Sequence, residues 1–94
     1  MIYPLIDQKI GLLGTRFTME DGFYASRLKE FSLSILTPSP QERNRMDEII
    51  YDELCQGKVI PASKTEVLNM MQHLQMQGAQ AILLGCTELG MLIE

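Results

Sequence analysis

The sequence predicts an α/β domain in which helices flank an open parallel sheet, three layers in all. Three observations lead there. Apolar runs of strand length occupy residues 9–15, 32–37 and 79–85, and the stretches between them carry apolar residues at helical spacing. Two Ser-x-x-Glu start signals, Ser39 with Glu42 and Ser63 with Glu66, open helical stretches. Strands and capped helices alternating at these lengths are the pattern of βαβ units, whose successive strands run parallel.

Each element has its own local reason. Residues 9–15, closed by Gly14 and Thr15, read as a strand buried on both faces. Thr18 is then the expected cap of a helix with Asp21 in its first turn; Phe23, Tyr24, Leu28 and Phe31 are its apolar positions, and it ends near Phe31. Residues 32–37 alternate and meet Pro38, which stops a strand. Ser39-Pro40-Gln41-Glu42 combines a capping box with proline at the first helical position. The helix it opens places Met46, Ile49, Ile50 and Leu54 on one side and ends near Gly57. After Pro61, the second box predicts a helix with Val67, Leu68, Met71 and Leu74 as its stripe and Gly78 as its left-handed stop. Residues 79–85 form the third strand, and residues 89–94 can begin a further helical turn.

Size and charge narrow the function. A chain of 94 residues has room for one core and no space to enclose a substrate between two lobes. Eight Lys and Arg against twelve Asp and Glu, without a basic cluster, leave no footprint for nucleic acid and no basic amphipathic helix for a membrane surface. Residues 1–7 lack the charged and apolar regions of a signal peptide, and no apolar run approaches membrane-spanning length. Two cysteines, Cys55 and Cys86, make no disulfide framework or zinc spacing, which fits a reducing, cytoplasmic setting.

In open parallel sheets ligands bind beyond the carboxyl ends of the strands. Two segments arrive there: residues 14–18 with Thr15 and Thr18, and residues 85–88 with Cys86, Thr87 and Glu88. Both join a glycine to hydroxyls and helix-start N–H groups, which suit a carboxylate or phosphate. Cys86 is the strong candidate for a nucleophile or base, because a helix starting just after it would lower its pKa. The residue type alone also fits a small buried group closing a strand. His73 lies opposite the apolar stripe of its helix and reads as a surface residue, so no Ser-His-Asp arrangement is supported. Cys55 lies opposite the Met46, Ile50 and Leu54 stripe, so either that helix is covered on both sides, the favoured structural reading, or Cys55 faces a cleft or partner; Met46, Met70, Met71 and Met76 read as packing. Arg43 and Arg45, with Asp47 and Glu48, read as an ordinary solvated face, and Lys58 and Lys64 as exposed lysines within reach of a carboxylate.

The same residues resemble one family. The run from Ile10 through Thr15-Arg16-Phe17-Thr18 to Met19, then Phe23-Tyr24, Ile49-Ile50-Tyr51-Asp52-Glu53-Leu54 with Gly57, Gly78-Ala79, and Leu84-Gly85-Cys86-Thr87-Glu88-Leu89 are together similar to the aspartate/glutamate racemases. The likeness runs from about Lys9 to Ile93. Its Gly-Cys-Thr-Glu element resembles the aspartate-racemase branch, since glutamate racemases typically have His where Glu88 stands.

The resemblance implies an amino-acid racemase that uses no cofactor, neither pyridoxal phosphate nor metal, and takes a small acidic amino acid or dicarboxylate. Family members have two similar α/β lobes, each supplying one cysteine to opposite faces of the substrate Cα. By position, Cys86 is the expected catalytic cysteine of the second lobe. Thr87 is expected to hydrogen-bond the substrate, Glu88 to orient or tune the thiol, and Thr15 and Thr18 to line the same cleft. Residues 1–94 correspond to the second lobe alone. The first lobe with its Cys-Asn-Thr type motif, and the segment closing the fold after Glu88, have no counterpart, and Cys55 does not replace the missing thiol. Such a chain is expected to be inactive or nearly so, because one thiol cannot serve both faces of Cα. The alternative is a non-catalytic lobe, a dimerising or carboxylate-binding module whose apolar lobe surface favours homo-oligomers. Hydantoin racemases, maleate isomerases and arylmalonate decarboxylases share the superfamily; Glu88 and the residue 15–18 loop favour amino-acid racemisation among them.

Overall fold

A computed structural model gives the architecture and describes residues 8–93; residues 1–7, read above for a leader, lie outside the described part. Strands β1 (Gln8–Leu13), β2 (Leu33–Leu36) and β3 (Ala79–Leu84) form one parallel sheet in the order β2-β1-β3. β1 pairs with β2 from Gln8 against Leu33 to Gly11 against Leu36. It pairs with β3 from Lys9 against Ala79 to Leu13 against Leu84, with an irregularity between Lys9 and Ile10 that skips Gln80. The α/β reading therefore holds. Leu12 and Leu13 point to opposite faces yet are both buried, so the central strand is covered on both sides.

The first helical stretch differs from expectation. It breaks into α1 (Arg16–Glu20) and α2 (Phe23–Lys29), and the cap is Thr15 rather than Thr18, its hydroxyl accepting from the Thr18 N–H at 3.2 Å. Asp21 ends α1 instead of starting a helix. Its carboxylate accepts from the Phe23 N–H at 2.8 Å, an Asx-type turn that interrupts the helix. Phe23 and Phe31 are accordingly exposed, and Tyr24 and Leu28 only half-buried.

The capping box at Ser39 forms as expected, with both reciprocal bonds present, and opens α3 (Pro40–Glu48). The helix continues as a π-turn over Ile49–Glu53 and a tight turn over Leu54–Gln56, stopped by Gly57 at φ 77°. The π-turn shifts the helical register by a fraction of a turn. Met46, Ile49, Ile50 and Leu54 still all bury, while Cys55 is left exposed and not in a structural position.

The second capping box does not form. α4 (Pro61–Met76) starts three residues early at Pro61, whose fixed φ and missing N–H suit the first helical position. Ser63 is then inside the helix, buried, with its hydroxyl donating to Glu53 at 2.5 Å. Glu66 faces Arg45 instead of capping. Val67, Met70 and Leu74 bury, Met71 is partly buried, and Leu68 and Met76 are exposed. Gly78 takes a φ of 110°, which turns the chain into β3. α5 (Thr87–Ile93) follows and buries Leu89 and Leu92 against α4 and the Leu54–Gln56 turn.

Candidate active site

The site begins at the carboxyl ends of β1 and β3, where two glycines permit a close approach. A Cβ on Gly85 would lie 3.0 Å from the Thr18 methyl carbon, and one on Gly14 would lie 3.2 Å from it. The Gly85 N–H donates to the Leu13 carbonyl at 2.7 Å, locking the two strand ends together. Thr18 therefore packs between them, and Cys86 leaves the sheet directly beside it. Thr15 reaches the site through Thr18: its hydroxyl donates to the Thr18 hydroxyl at 3.0 Å, leaving the Thr18 hydrogen available to a ligand.

Past β3 the backbone turns into α5, with the Leu89 N–H donating to the Cys86 carbonyl at 3.2 Å. Cys86 is half-buried against the core cluster, a free thiol whose Sγ donates to Glu88 Oε2 at 2.9 Å. The Thr87 hydroxyl donates to the same oxygen at 3.2 Å. The proposed Cys86, Thr87 and Glu88 thus form one connected group. Gly85, which precedes them, packs against Thr18 at the carboxyl end of β3, the end where open parallel sheets bind ligands.

The electrostatics correct one expectation. Helix-start N–H groups of Glu88 and Leu89 do favour the Cys86 thiolate, as anticipated, but they are outweighed. Burial, and then the bond to the Glu88 carboxylate, push the thiol above its ordinary value. Glu88 moves the other way: the hydrogen bond from Cys86 is the first cause, with the backbone and Thr87 adding to it. At neutral pH the pair is a protonated thiol donating to an ionised carboxylate.

The neighbouring residues sort differently from the sequence reading. Arg16 closes the loop after β1: its N–H donates to Asp47 at 2.8 Å and its guanidinium to Asn44 at 3.2 Å. Arg16, Phe17, Glu20, Asp21, Asp47 and Tyr51 line an open concavity of about 500 Å³. Cys86, Thr87 and Glu88 do not line it. Three carboxylates against one guanidinium make it a poor receptor for an acidic molecule, so the strand-end group is the better candidate site.

Arg43 and Arg45 are not a plain solvated face. Arg43 donates to the Pro38 carbonyl at 2.7 Å and pairs with Glu20 at 3.2 Å. Arg45 binds Glu66 at 2.8 Å, Glu48 at 3.2 Å and Glu53 at 3.4 Å, which holds its guanidinium even more firmly charged. Arg45–Glu48 is a local i,i+3 pair, whereas Arg43–Glu20 and Arg45–Glu66 join residues more than twenty apart, which no local pattern announces. His73 is exposed, as expected, and meets Glu42 at 2.8 Å. Among the described residues no group of three His, Cys, Asp or Glu is placed to hold a metal ion, and no helix is long and apolar enough to cross a membrane.

Comparison with known proteins gives the arrangement a context. A family model described as Asp/Glu/Hydantoin racemase matches residues 3–94. The crystal structure of a Yersinia pestis protein assigned to the Asp/Glu racemases is 42% identical, with a TM-score of 0.87. The match covers 94% of this chain but 39% of that one. The structure of an aspartate racemase homologue from Pyrococcus horikoshii is 32% identical, with a TM-score of 0.80, over 93% of this chain and 38% of that one. The chain therefore spans well under half the length of the solved structures it matches.

Proposed function

From the Asp/Glu/hydantoin racemase family, to which this chain belongs, we propose that residues 1–94 form the second of two lobes of an aspartate-type racemase and hold one half of its proton-transfer site. The observation that carries this reading is the Cys86 thiol, 2.9 Å from the Glu88 carboxylate at the carboxyl end of β3. Racemisation removes a proton from one face of the substrate Cα and returns it to the other, so it needs a base and an acid on opposite sides. Cys86, held protonated by burial and by Glu88, is poised as the acid for one direction. An opposing cysteine on the first lobe takes the base role, and the roles exchange for the other enantiomer.

The substrate in this reading is a small acidic amino acid or dicarboxylate. The Thr18 hydroxyl, fixed by Thr15, is the donor that holds its carboxylate, and Thr87 adds a second once its hydroxyl turns from Glu88 to the substrate. They also stabilise the charge that develops as the Cα proton leaves. No cofactor takes part, and the setting is cytoplasmic. Cys86 stands half-buried just past the end of β3, and proton transfer at both faces of Cα needs a second lobe to complete the site. With one thiol, the 94-residue chain by itself turns over little or no substrate.

The test follows loss of α-deuterium from each enantiomer of α-deuterated aspartate. The chain alone leaves the label in place, and adding a first lobe that bears its own cysteine releases it. Cys86→Ser abolishes that release while retaining carboxylate binding, measured by amide chemical-shift changes. Appreciable release by the monomeric chain alone would overturn the half-site reading. Carboxylate binding with no release in the two-lobe mixture would favour a non-catalytic binding module.

A further inference from the structure

The Thr18 hydroxyl sits on a helix too short to hold itself in place. α1 has five residues, far fewer than an isolated helix needs, and Met19 is its one buried residue. Its neighbour α2 buries none. Beyond Met19, α1 is tied to α3 at three polar points. The Arg16 N–H donates to Asp47 Oδ1 at 2.8 Å, and the Arg16 guanidinium donates to Asn44 at 3.2 Å. At the far end Glu20 pairs with Arg43 at 3.2 Å.

The three ties are not equivalent. Arg16, Asn44 and Glu20 are exposed, and contacts between long exposed side chains hold little. Asp47 is half-buried, follows the fully buried Met46, and takes a backbone group. That N–H belongs to the planar peptide unit joining Thr15 to Arg16. The carbonyl of the same unit, on Thr15, accepts from the Met19 N–H at 3.0 Å. The Thr15 side chain stands at one end of this plane; it accepts from the Thr18 N–H at 3.2 Å and donates to the Thr18 hydroxyl at 3.0 Å. A peptide plane and two hydrogen bonds therefore connect α3 to the Thr18 hydroxyl.

We propose that Asp47 is a positioning residue for carboxylate binding, fixing the Thr15–Arg16 peptide so that Thr15 holds the Thr18 hydroxyl where a substrate carboxylate meets it. Asp47 acts through Thr15 and Thr18 and does not touch the ligand. Its acceptor oxygen carries the role rather than its charge, so asparagine replaces it and alanine does not. The inference rests on the reading of Thr18 as a carboxylate donor. It adds to that site a residue from a third segment of the chain, thirty-one positions from its partner Arg16.

Titration of the chain with L-aspartate, read from amide chemical shifts, tests it together with hydrogen exchange of the Arg16 amide. In the wild-type chain the Arg16 amide is expected to be protected, and L-aspartate to shift the Thr18 amide. Asp47→Ala opens the Arg16 amide and weakens L-aspartate binding by roughly tenfold, the usual worth of one hydrogen bond to a charged group. Asp47→Asn keeps both close to wild type. In a Thr18→Val background, where the donor is already gone, Asp47→Ala weakens binding no further. The Cys86 thiolate midpoint stays in place in both Asp47 variants, which a general loosening of the strand ends would not allow. An open Arg16 amide in the wild-type chain would overturn the positioning role. So would an Asp47→Ala chain that binds as tightly as wild type, a loss that persists in Thr18→Val, or a loss that Asp47→Asn does not rescue. A wild-type chain in which L-aspartate shifts neither residues 15–18 nor residues 86–88 would instead overturn the strand-end site itself, and this role with it.

Discussion

The carboxyl ends of β1 and β3 look alike in sequence, each a glycine followed within two residues by threonine, and they do different work. At the β1 end the polar groups satisfy the fold: the Thr15 oxygen caps α1, and the Arg16 N–H is taken by Asp47. At the β3 end the side chains bond mainly to one another, Cys86 and Thr87 both donating to Glu88 on an accessible face. Hydroxyls committed to backbone N–H groups build a wall. A thiol committed only to a neighbouring carboxylate keeps a proton it can give away.

The largest expected effect breaks the join between the two ends. Gly85→Ala puts a Cβ 3.0 Å from the Thr18 methyl carbon and 3.4 Å from the Leu13 carbonyl oxygen. It should cost about 1–3 kcal/mol in urea denaturation, the usual range for overpacking. Adding Thr18→Ser removes that methyl and should recover part of the loss, a coupling that a double-mutant cycle reads directly.

A smaller effect separates the roles. Thr15→Ala removes the cap of α1 and should cost about 1 kcal/mol. Cys86→Ser should change stability by about 0.5 kcal/mol or less, as expected for a half-buried group outside the packed core. It should nevertheless remove all reactivity toward iodoacetamide at this position. Equal stability losses for the two variants would erase the distinction between wall and reactive group.

Much of this was legible beforehand, and the exceptions share a cause. Ser39 with Glu42, Gly57 and Gly78 act within a few residues of themselves, and each behaves as its local pattern predicts. Ser63 with Glu66 has the same local pattern and fails. Glu53, ten residues earlier, takes the serine, and Arg45, twenty-one residues earlier, takes the glutamate. The split between α1 and α2 follows from Asp21 bonding the Phe23 N–H, a competition that helical spacing of aromatics does not reveal. At the candidate site, the place of Cys86, Thr87, Glu88, Thr15 and Thr18 just after strands β3 and β1 was legible in the sequence. The direction of the Cys86 shift was not, because it depends first on how far the thiol is buried and then on Glu88 folding back onto it.

That contact sets a pH window. The raised pKa of Cys86 means its contribution to stability is present below the ordinary thiol value of 9.0 and is lost as pH rises through the folded-state value. The lowered pKa of Glu88 means its contribution is present above the ordinary carboxylate value of 4.5 and is lost as pH falls through the folded-state value. Between these limits the thiol stays protonated and the carboxylate ionised.

Titration of the Cys86 thiol, followed by thiolate absorbance in a Cys55→Ser background, tests the central claim most directly. With Glu88 in place the midpoint should lie above the ordinary thiol value, and Glu88→Gln should lower it. A midpoint at or below the ordinary value, or one that Glu88→Gln leaves unmoved, would contradict the proton-holding pair on which the proposed function rests.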